Sequence, residues 1–445
     1  ALHRALELGD VTPVFILDPS ALNSRYHRSA ERRKAFLFEG LRTLDTDLRA
    51  RGSRLVVRRG NPLRQLRELV KETGAETIVA AEDYSPYGRR RDAAVAKALS
   101  LELTGGIAIR RPQDVLKSDG EPFKVFTPFS RAWLQQSPLT RADLLSLPRQ
   151  LPAVSPGIER LDIPTSDIDL TGLTAGEADA RKRLQHFVGG AIAGYAEGRN
   201  RLDEDGTSVL SPYLRFGMIS PRECAIAVIE AQAAASTSDA KRGAATWLNE
   251  LIWRDFYLAV LHHFPEVMAR EFDASLQDIP WRNDPAEIDA WQQGRTGYPV
   301  IDAAMRQLAE TGWMHNRARM IVASFLVKHL LVDWRIGEQW FMDQLLDGDP
   351  AANNGGWQWT AGVGTDAAPY FRVFNPVLQA KRFDPDGAYV RRWLPELQAV
   401  DTRFVHEPWR LPSQQRSEID YPAPIADLAE GRARAIAAYN AAKGR

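Results

Sequence analysis

The sequence predicts two units of different class: an α/β N-terminal domain built on a parallel sheet, and an all-α C-terminal domain. Three observations carry this reading. Strand-length apolar runs alternate with helical stripes through the first part of the chain, the pattern of a doubly wound parallel sheet. From Pro138 to Gly176 the composition turns to Pro, Ser, Thr and Asp without sustained periodicity, as in a connection between domains. Of 12 tryptophans, all but Trp133 lie at or beyond position 247, so the two halves do different work. The expected boundaries are 1–135 for the α/β domain, 136–176 for the linker and 177–445 for the helical domain.

Taken in order, Ala1 to Gly9 reads as a helical stub ending at a glycine, and Thr12 to Asp18 (TPVFILD) as a strand. Residues 29–51 form a helical stripe of Leu37, Leu41, Leu44 and Leu48, stopped by Gly52. Arg54 to Arg58 (RLVVR) is a second strand, Asn61 to Thr73 a helix, Thr77 to Ala81 (TIVAA) a third strand and Arg89 to Leu99 a helix. No GxGxxG or GxxxxGKS/T sequence accompanies them, so a phosphate loop has no support. Beyond the linker, segments 178–199, 242–263, 298–311, 313–332, 336–346 and 425–442 carry helical stripes punctuated by Gly or Pro.

Composition excludes several classes. At 445 residues, with 44% hydrophobic and 26% charged side chains, the chain has the makeup of a large globular protein. A formal net charge of +0 provides no global basic field, although a local patch is still allowed. The single Cys224 rules out an internal disulfide framework and fits a reducing, cytoplasmic location. No apolar run is long enough to span a bilayer and no signal-peptide pattern is present. The histidines lack ligand spacing: His262 and His263 are adjacent and point to different sides of a helix.

Four stretches hold candidate chemistry. Residues 347–360 (DGDPAANNGGWQWT) carry two carboxylates, two amides and three glycines into two tryptophans. Asp, Asn, Gly and Pro mark irregular backbone, so the stretch is either a polar loop before a buried helix or a ligand site. Residues 206–214 (GTSVLSPYL) place Thr207, Ser208 and Ser211 ahead of Pro212 in a turn opening a helix. This is an anion seat suited to phosphate, or plain capping. In 247–254 (WLNELIWR), Trp247, Glu250 and Arg254 share a helix face and Trp253 lies three beyond Glu250. A carboxylate between two indoles accepts N–H bonds from a base edge; the plainer alternative is a surface Glu–Arg pair. In 313–320 (WMHNRARM), Asn316 and Met320 are adjacent on a helix, an amide and a thioether suited to a heteroaromatic edge.

These segments together, with GYPVIDAAMRQL, DWRIGEQWF and APYFRVFNP, resemble the flavin-binding domain of the photolyase/cryptochrome family. The resemblance covers about Tyr195 to Trp409, and the N-terminal half resembles that family's Rossmann-like antenna domain. One departure is that the family begins with a strand ending in a WFRxDLR-type sequence, which this chain lacks at Ala1. The resemblance implies FAD in a folded shape. Tyr195 and the run Thr207, Ser208, Val209, Leu210 and Ser211 match its phosphate contacts. Trp247, Glu250 and Arg254 match the helix between flavin and substrate. Asp347, Gly348 and Asp349 match the turn on the ribose and ring side, and Arg319 the arginine paired to its first carboxylate. Asn353 matches the residue facing the flavin N5, where a neutral amide tolerates a reduced, anionic ring and a carboxylate repels it.

The same resemblance implies the activity. Asn at 353 is the photolyase choice, where animal cryptochromes carry Cys and plant cryptochromes Asp. His315-Asn316 with Met320 resembles the enzymes for cyclobutane pyrimidine dimers, rather than those with paired histidines for the pyrimidone photoproduct. The expected substrate is ultraviolet-damaged DNA, whose dimer leaves the duplex for a pocket. Trp253 and Trp359 match the aromatics that wedge the dimer. Glu250, Asn316 and Met320 match its base contacts, and Arg199, Arg317, Arg372 and Gln379 positions that meet the DNA backbone. Excited reduced flavin lends an electron, the cyclobutane bonds break, and the electron returns. Trp357, Trp334 and Trp281 match the tryptophan chain that re-reduces oxidised flavin. For a second chromophore, the region Asp83 to Asp92 (DYSPYGRRRD) favours 8-hydroxy-5-deazaflavin over methenyltetrahydrofolate, with FMN or none left open. A monomer without an obligate protein partner is expected. The competing expectation is a cryptochrome-type photosensor without repair activity.

Overall fold

The computed structural model describes residues 1–24 and 30–444. A helix over Leu2–Leu8 ends at Gly9, and strand β1 follows at Val14–Leu17. The leucine stripe forms a helix over Glu31–Arg49; position 29 lies outside the described residues. Leu41 and Leu48 are buried but Leu44 is 38% exposed, so the buried face is narrower than the leucine spacing implied.

Strands β2 (Val56–Arg59), β3 (Ile78–Ala81) and β4 (Leu101–Thr104) follow, giving one strand more than expected among the described residues. The fourth is only four residues, Leu-Glu-Leu-Thr, too short for its alternation to stand out. β1 pairs parallel to β2 with Val14 opposite Val56, and β3 parallel to β4 with Ile78 opposite Leu101. The expected single doubly wound sheet is therefore corrected to two parallel pairs, with no ladder between them among the described residues. Each pair has the helical crossover that parallel neighbours require. The helix of the second pair starts at Pro86, earlier than expected, because the Ser85 hydroxyl accepts from Gly88 N at 3.0 Å.

The linker is irregular, as its composition implies, yet it packs on the α/β unit. Leu151 N donates to Arg51 O at 2.8 Å and Leu161 N to Val57 O at 2.9 Å, while Leu151, Val154 and Ile158 are buried. The helical half begins with Glu177–Gly189, which stops at paired glycines, and the chain reaches the short helix Tyr195–Gly198 through a 3-10 turn. The longest helix is Ser238–His263. It shares one apolar core with the N-terminal unit: Phe36, Phe126 and Trp133 lie in the same cluster as Trp247, Leu251 and Phe256. Asp255, buried at that junction, accepts from Ile109 N (3.1 Å), Arg110 N (2.9 Å) and Trp133 Nε1 (2.9 Å).

The expected 178–199 helix is thus broken at the paired glycines, and two further expectations in this half change. The 313–332 segment is helical only over Asn316–Ser324 and then turns π-helical over Phe325–His329. His315 sets the start, its Nδ1 accepting from Arg317 N at 3.1 Å. The 347–360 stretch is irregular only at Asp347–Asp349. Asp349 caps the helix Pro350–Ala361, accepting from Ala351 N and Ala352 N, each at 3.0 Å. Gly355 sits inside that helix because a Cβ there would lie 2.2 Å from the Tyr257 ring on the crossing helix. Close helix approach, not a turn, demands that glycine.

Candidate functional site

A cavity of about 490 Å³ opens in the helical half, between the 206–214 segment, the Ser238–His263 helix and the Pro350–Ala361 helix. On one side Tyr195 and the run Thr207 to Ser211 line it. Tyr195 is buried and edge-on to Phe187 at 5.6 Å, and burial pushes its phenol above the ordinary range. Val209 holds φ at 49°, a left-handed conformation that a β-branched residue rarely adopts. Such strain marks segments whose shape is set by something other than local preference.

On the second side stand Trp247, Glu250, Trp253 and Arg254. The helical spacing brings these four to one wall, but it mispairs the charges. Arg254 donates to the Ile107 carbonyl and does not pair with Glu250. Glu250 instead forms an ion pair with Arg199, a residue expected on the DNA backbone. Burial is the largest influence on the Glu250 carboxyl and raises its pKa; Arg199 opposes it. Trp253 is held flat: its ring lies 3.6 Å from that of Phe126, at an angle of 3°.

The third wall carries Asn316, Arg319, Met320, Asp347, Asp349 and Asn353. Arg319 Nη2 donates to Asp347 Oδ2 at 2.8 Å and its Nε to Met314 O at 2.8 Å. The other carboxylate oxygen, Asp347 Oδ1, is buried without a hydrogen-bond partner, an acceptor open to a ligand donor. Asp349, besides capping its helix, lies 3.6 Å from Arg215 Nη1. Asn353 Nδ2 donates to Glu338 O at 2.9 Å, which orients the neutral amide. Trp357 and Trp359 complete the lining. Gly348 does not line the cavity; its carbonyl accepts from Arg215 Nε at 2.9 Å.

Of the tryptophan chain only Trp357 lines the cavity; Trp334 and Trp281, with Arg317, Arg372 and Gln379, lie off it. Trp357 is buried, edge-on to Phe341 (5.0 Å) and Trp291 (6.1 Å). Trp334 is fully buried, its Nε1 donating to Glu271 Oε1 at 3.1 Å. Trp281 is half-buried and meets Tyr439 edge-on at 6.0 Å. Each of these three tryptophans thus has its own aromatic or polar neighbours. Arg317 Nε donates to Asn200 Oδ1 at 3.2 Å, and its guanidinium lies 4.6 Å from the Phe383 ring. Burial, then Arg199 and Arg382, push its pKa down to about 10, so three guanidiniums share one patch. Arg372 is exposed and Gln379 half-buried nearby in sequence, beside the exposed Phe371 and Leu378.

Sequence reasoning missed Arg215, Tyr257 and Phe126. Arg215 stands within SPYLRF just past the hydroxyl run, and Tyr257 falls one turn beyond Trp253, so helical spacing alone would have found both. Nothing local points to Phe126.

The donors and acceptors present fit FAD: a hydroxyl run for phosphates, an unpartnered buried carboxylate oxygen, a neutral amide and apolar ring walls. Residues 247–441 match the family described as FAD binding domain of DNA photolyase, and residues 1–152 that described as DNA photolyase. The chain is 40% identical to a deoxyribodipyrimidine photo-lyase of Agrobacterium fabrum, over 100% of this chain and 95% of that protein. It is 41% identical to the Escherichia coli enzyme of the same name, over 94% and 90%. The solved class III photolyase from Agrobacterium tumefaciens superposes with a TM-score of 0.91 at 39% identity, covering 100% of this chain and 95% of that one. A Synechocystis cryptochrome superposes at 0.87 with 29% identity, covering 98% and 95%. No described helix is long and apolar enough to cross a membrane. The chain belongs to the photolyase/cryptochrome family.

Proposed function

We propose that this protein is a light-driven lyase that splits cyclobutane pyrimidine dimers in DNA. The observation that carries the reading is the single cavity in which the flavin-side residues Asp347 and Asn353 share walls with Glu250, Asn316, Met320, Trp253 and Trp359. Bound in its reduced form, FAD would supply a light-driven electron to the dimer and receive it back.

The chain's own residues then bind, orient and exclude water. Thr207 to Ser211 hold the phosphates, and Asp347, braced by Arg319, accepts from the cofactor. Asn353 presents a neutral amide where a carboxylate would repel a reduced flavin. A flipped dimer enters between Trp253 and Trp359; stacking of this kind contributes about 1–3 kcal/mol per base. Glu250, Asn316 and Met320 meet its edges. Arg199, Arg317, Arg372 and Gln379 make a local rim for the DNA backbone despite the zero net charge. Trp357, Trp334 and Trp281 would form the route by which an external reductant re-reduces oxidised flavin. We place a second, antenna chromophore in the α/β unit. The absorption spectrum of the purified protein distinguishes deazaflavin, folate and a second flavin there; a solved Sulfolobus tokodaii photolyase holds two FAD molecules. The protein acts in the cytoplasm as a monomer.

The test is repair of dimer-containing oligonucleotides by the reduced, flavin-loaded protein under blue or near-ultraviolet light. Repair in light only is expected. Equal repair in the dark, or none by a flavin-replete sample, overturns the reading in favour of another activity or a photosensor.

A further inference from the structure

The run Glu31-Arg32-Arg33-Lys34 opens the first long helix of the α/β unit, and such a charge run ordinarily forms a solvated face. Lys34 conforms, pairing with Glu31 at 2.7 Å. Its two neighbours do not. Arg32 Nη1 donates to Ala309 O at 2.7 Å, and Arg33, only 2% exposed, donates through Nη1 to Leu345 O at 2.7 Å. Both acceptors belong to the helical half.

Arg33 reaches the back of the Asp347-Gly348-Asp349 turn. A Cβ on Gly348 would stand 2.2 Å from Arg33 Nη1, so the guanidinium occupies the space a side chain there would need. That contact accounts for glycine at 348, which lines no part of the cavity. From the other side Arg215 Nε donates to Gly348 O at 2.9 Å and Nη1 approaches Asp349 at 3.6 Å. Arg319 holds Asp347 Oδ2 at 2.8 Å. The turn is thus clamped between guanidiniums, with Asp347 Oδ1 left buried and unpartnered. Burial, with Arg215, pulls the Arg33 pKa down to about 9, while Asp347, Asp343 and Asp349 pull it up. A buried guanidinium carries a desolvation cost that an apolar residue of similar size would avoid, so its placement behind this turn calls for a gain elsewhere.

We propose that Arg33 is a positioning residue for the flavin site. Held by the α/β unit, it fixes the Leu345–Asp349 turn in the shape that presents Asp347 to the cofactor. The antenna-side unit thereby sets how tightly the helical half retains its flavin. This rests on the FAD reading above.

The test compares the flavin-loaded wild type with Arg33→Met, Arg33→Lys, Gly348→Ala and the control Arg32→Ala. Two readouts are taken from each: flavin fluorescence released on dilution, and the melting temperature. If the wild type itself holds no FAD, the cofactor reading fails. If it does, Arg33→Met is expected to weaken FAD retention about tenfold or more, the scale of a lost charge-assisted hydrogen bond. Gly348→Ala, which crowds the same contact, should behave alike, and Arg33→Lys should fall between. Arg32→Ala should lower the melting temperature with FAD retention unchanged. The proposal is overturned if Arg33→Met resembles Arg32→Ala, melting lower while FAD retention stays within about twofold of the wild type. Should Arg33→Met fail to fold, Arg33→Lys and Gly348→Ala decide the matter by the same comparison.

Discussion

Replacing Glu250 by Ala separates recognition of the lesion from general attraction to DNA. The carboxylate is paired with Arg199, and the two side chains are 29% and 27% exposed respectively. An ion pair at such partial exposure contributes on the order of 0–1 kcal/mol to folding, so the melting temperature should hardly move. Binding differs. A charge-assisted hydrogen bond from a base edge to this carboxylate contributes about 1.5–3 kcal/mol, or about 10–100-fold in affinity. Glu250→Ala should therefore weaken binding of a dimer-containing oligonucleotide by that factor. The same change releases Arg199, which then faces phosphate without a competitor. Undamaged DNA should bind as well as before or better, with a salt slope steeper by up to about 0.9 if one more phosphate is neutralised. The assay is fluorescence anisotropy with damaged and undamaged oligonucleotides at several salt concentrations, alongside flavin absorbance. Glu250→Gln, which keeps an acceptor, should fall between wild type and Ala. Equal losses on both DNAs would refute a lesion-specific role. Loss of FAD in the variant would refute the separation of cofactor-side from substrate-side residues.

Three further outcomes are expected. Asp255→Ala strands two buried donors, Ile109 N and Trp133 Nε1, at about 1–3 kcal/mol each, and the half-buried Arg110 N. Urea denaturation should show a loss of several kcal/mol, and a loss below about 1 kcal/mol would mean that the junction re-forms its bonds elsewhere. His315 has its pKa lowered from 6.5 to about 4, chiefly by burial and then by Arg317, Arg319 and Arg199. Between those values the unfolded chain binds the extra proton, so the neutral ring's contribution is present above pH 6.5 and lost as pH falls toward 4. His315→Asn keeps a capping acceptor without that titration. The wild type should lose stability relative to this variant over that window in thermal melts, and parallel curves would count against it. Trp357→Phe should abolish light-driven reduction of oxidised flavin, yet leave dimer repair by chemically reduced enzyme near normal; unchanged photoreduction would remove Trp357 from the electron route.

Much of this protein is determined locally. Hydroxyls clustered before Pro212, indoles spaced around Glu250, and the Asp347-Gly348-Asp349 turn lie close together in sequence. Helical periodicity alone set Trp247, Glu250 and Arg254 on one wall, as the structure has them. The motif segments together carried the family, because each is a short stretch whose residues serve one ligand. What only the tertiary structure decided is who pairs with whom across the chain. Periodicity offers Arg254 to Glu250, but the fold supplies Arg199. The sheet divides into two pairs, each of successive strands, a division that no strand's own sequence records. Phe126 levels Trp253, and Arg33 stands behind Gly348, although more than a hundred residues separate each pair. Side-chain spacing along a helix follows from backbone geometry, which a sequence encodes directly. The packing of one unit against another depends on shape and burial shared between distant segments, and no local pattern records it.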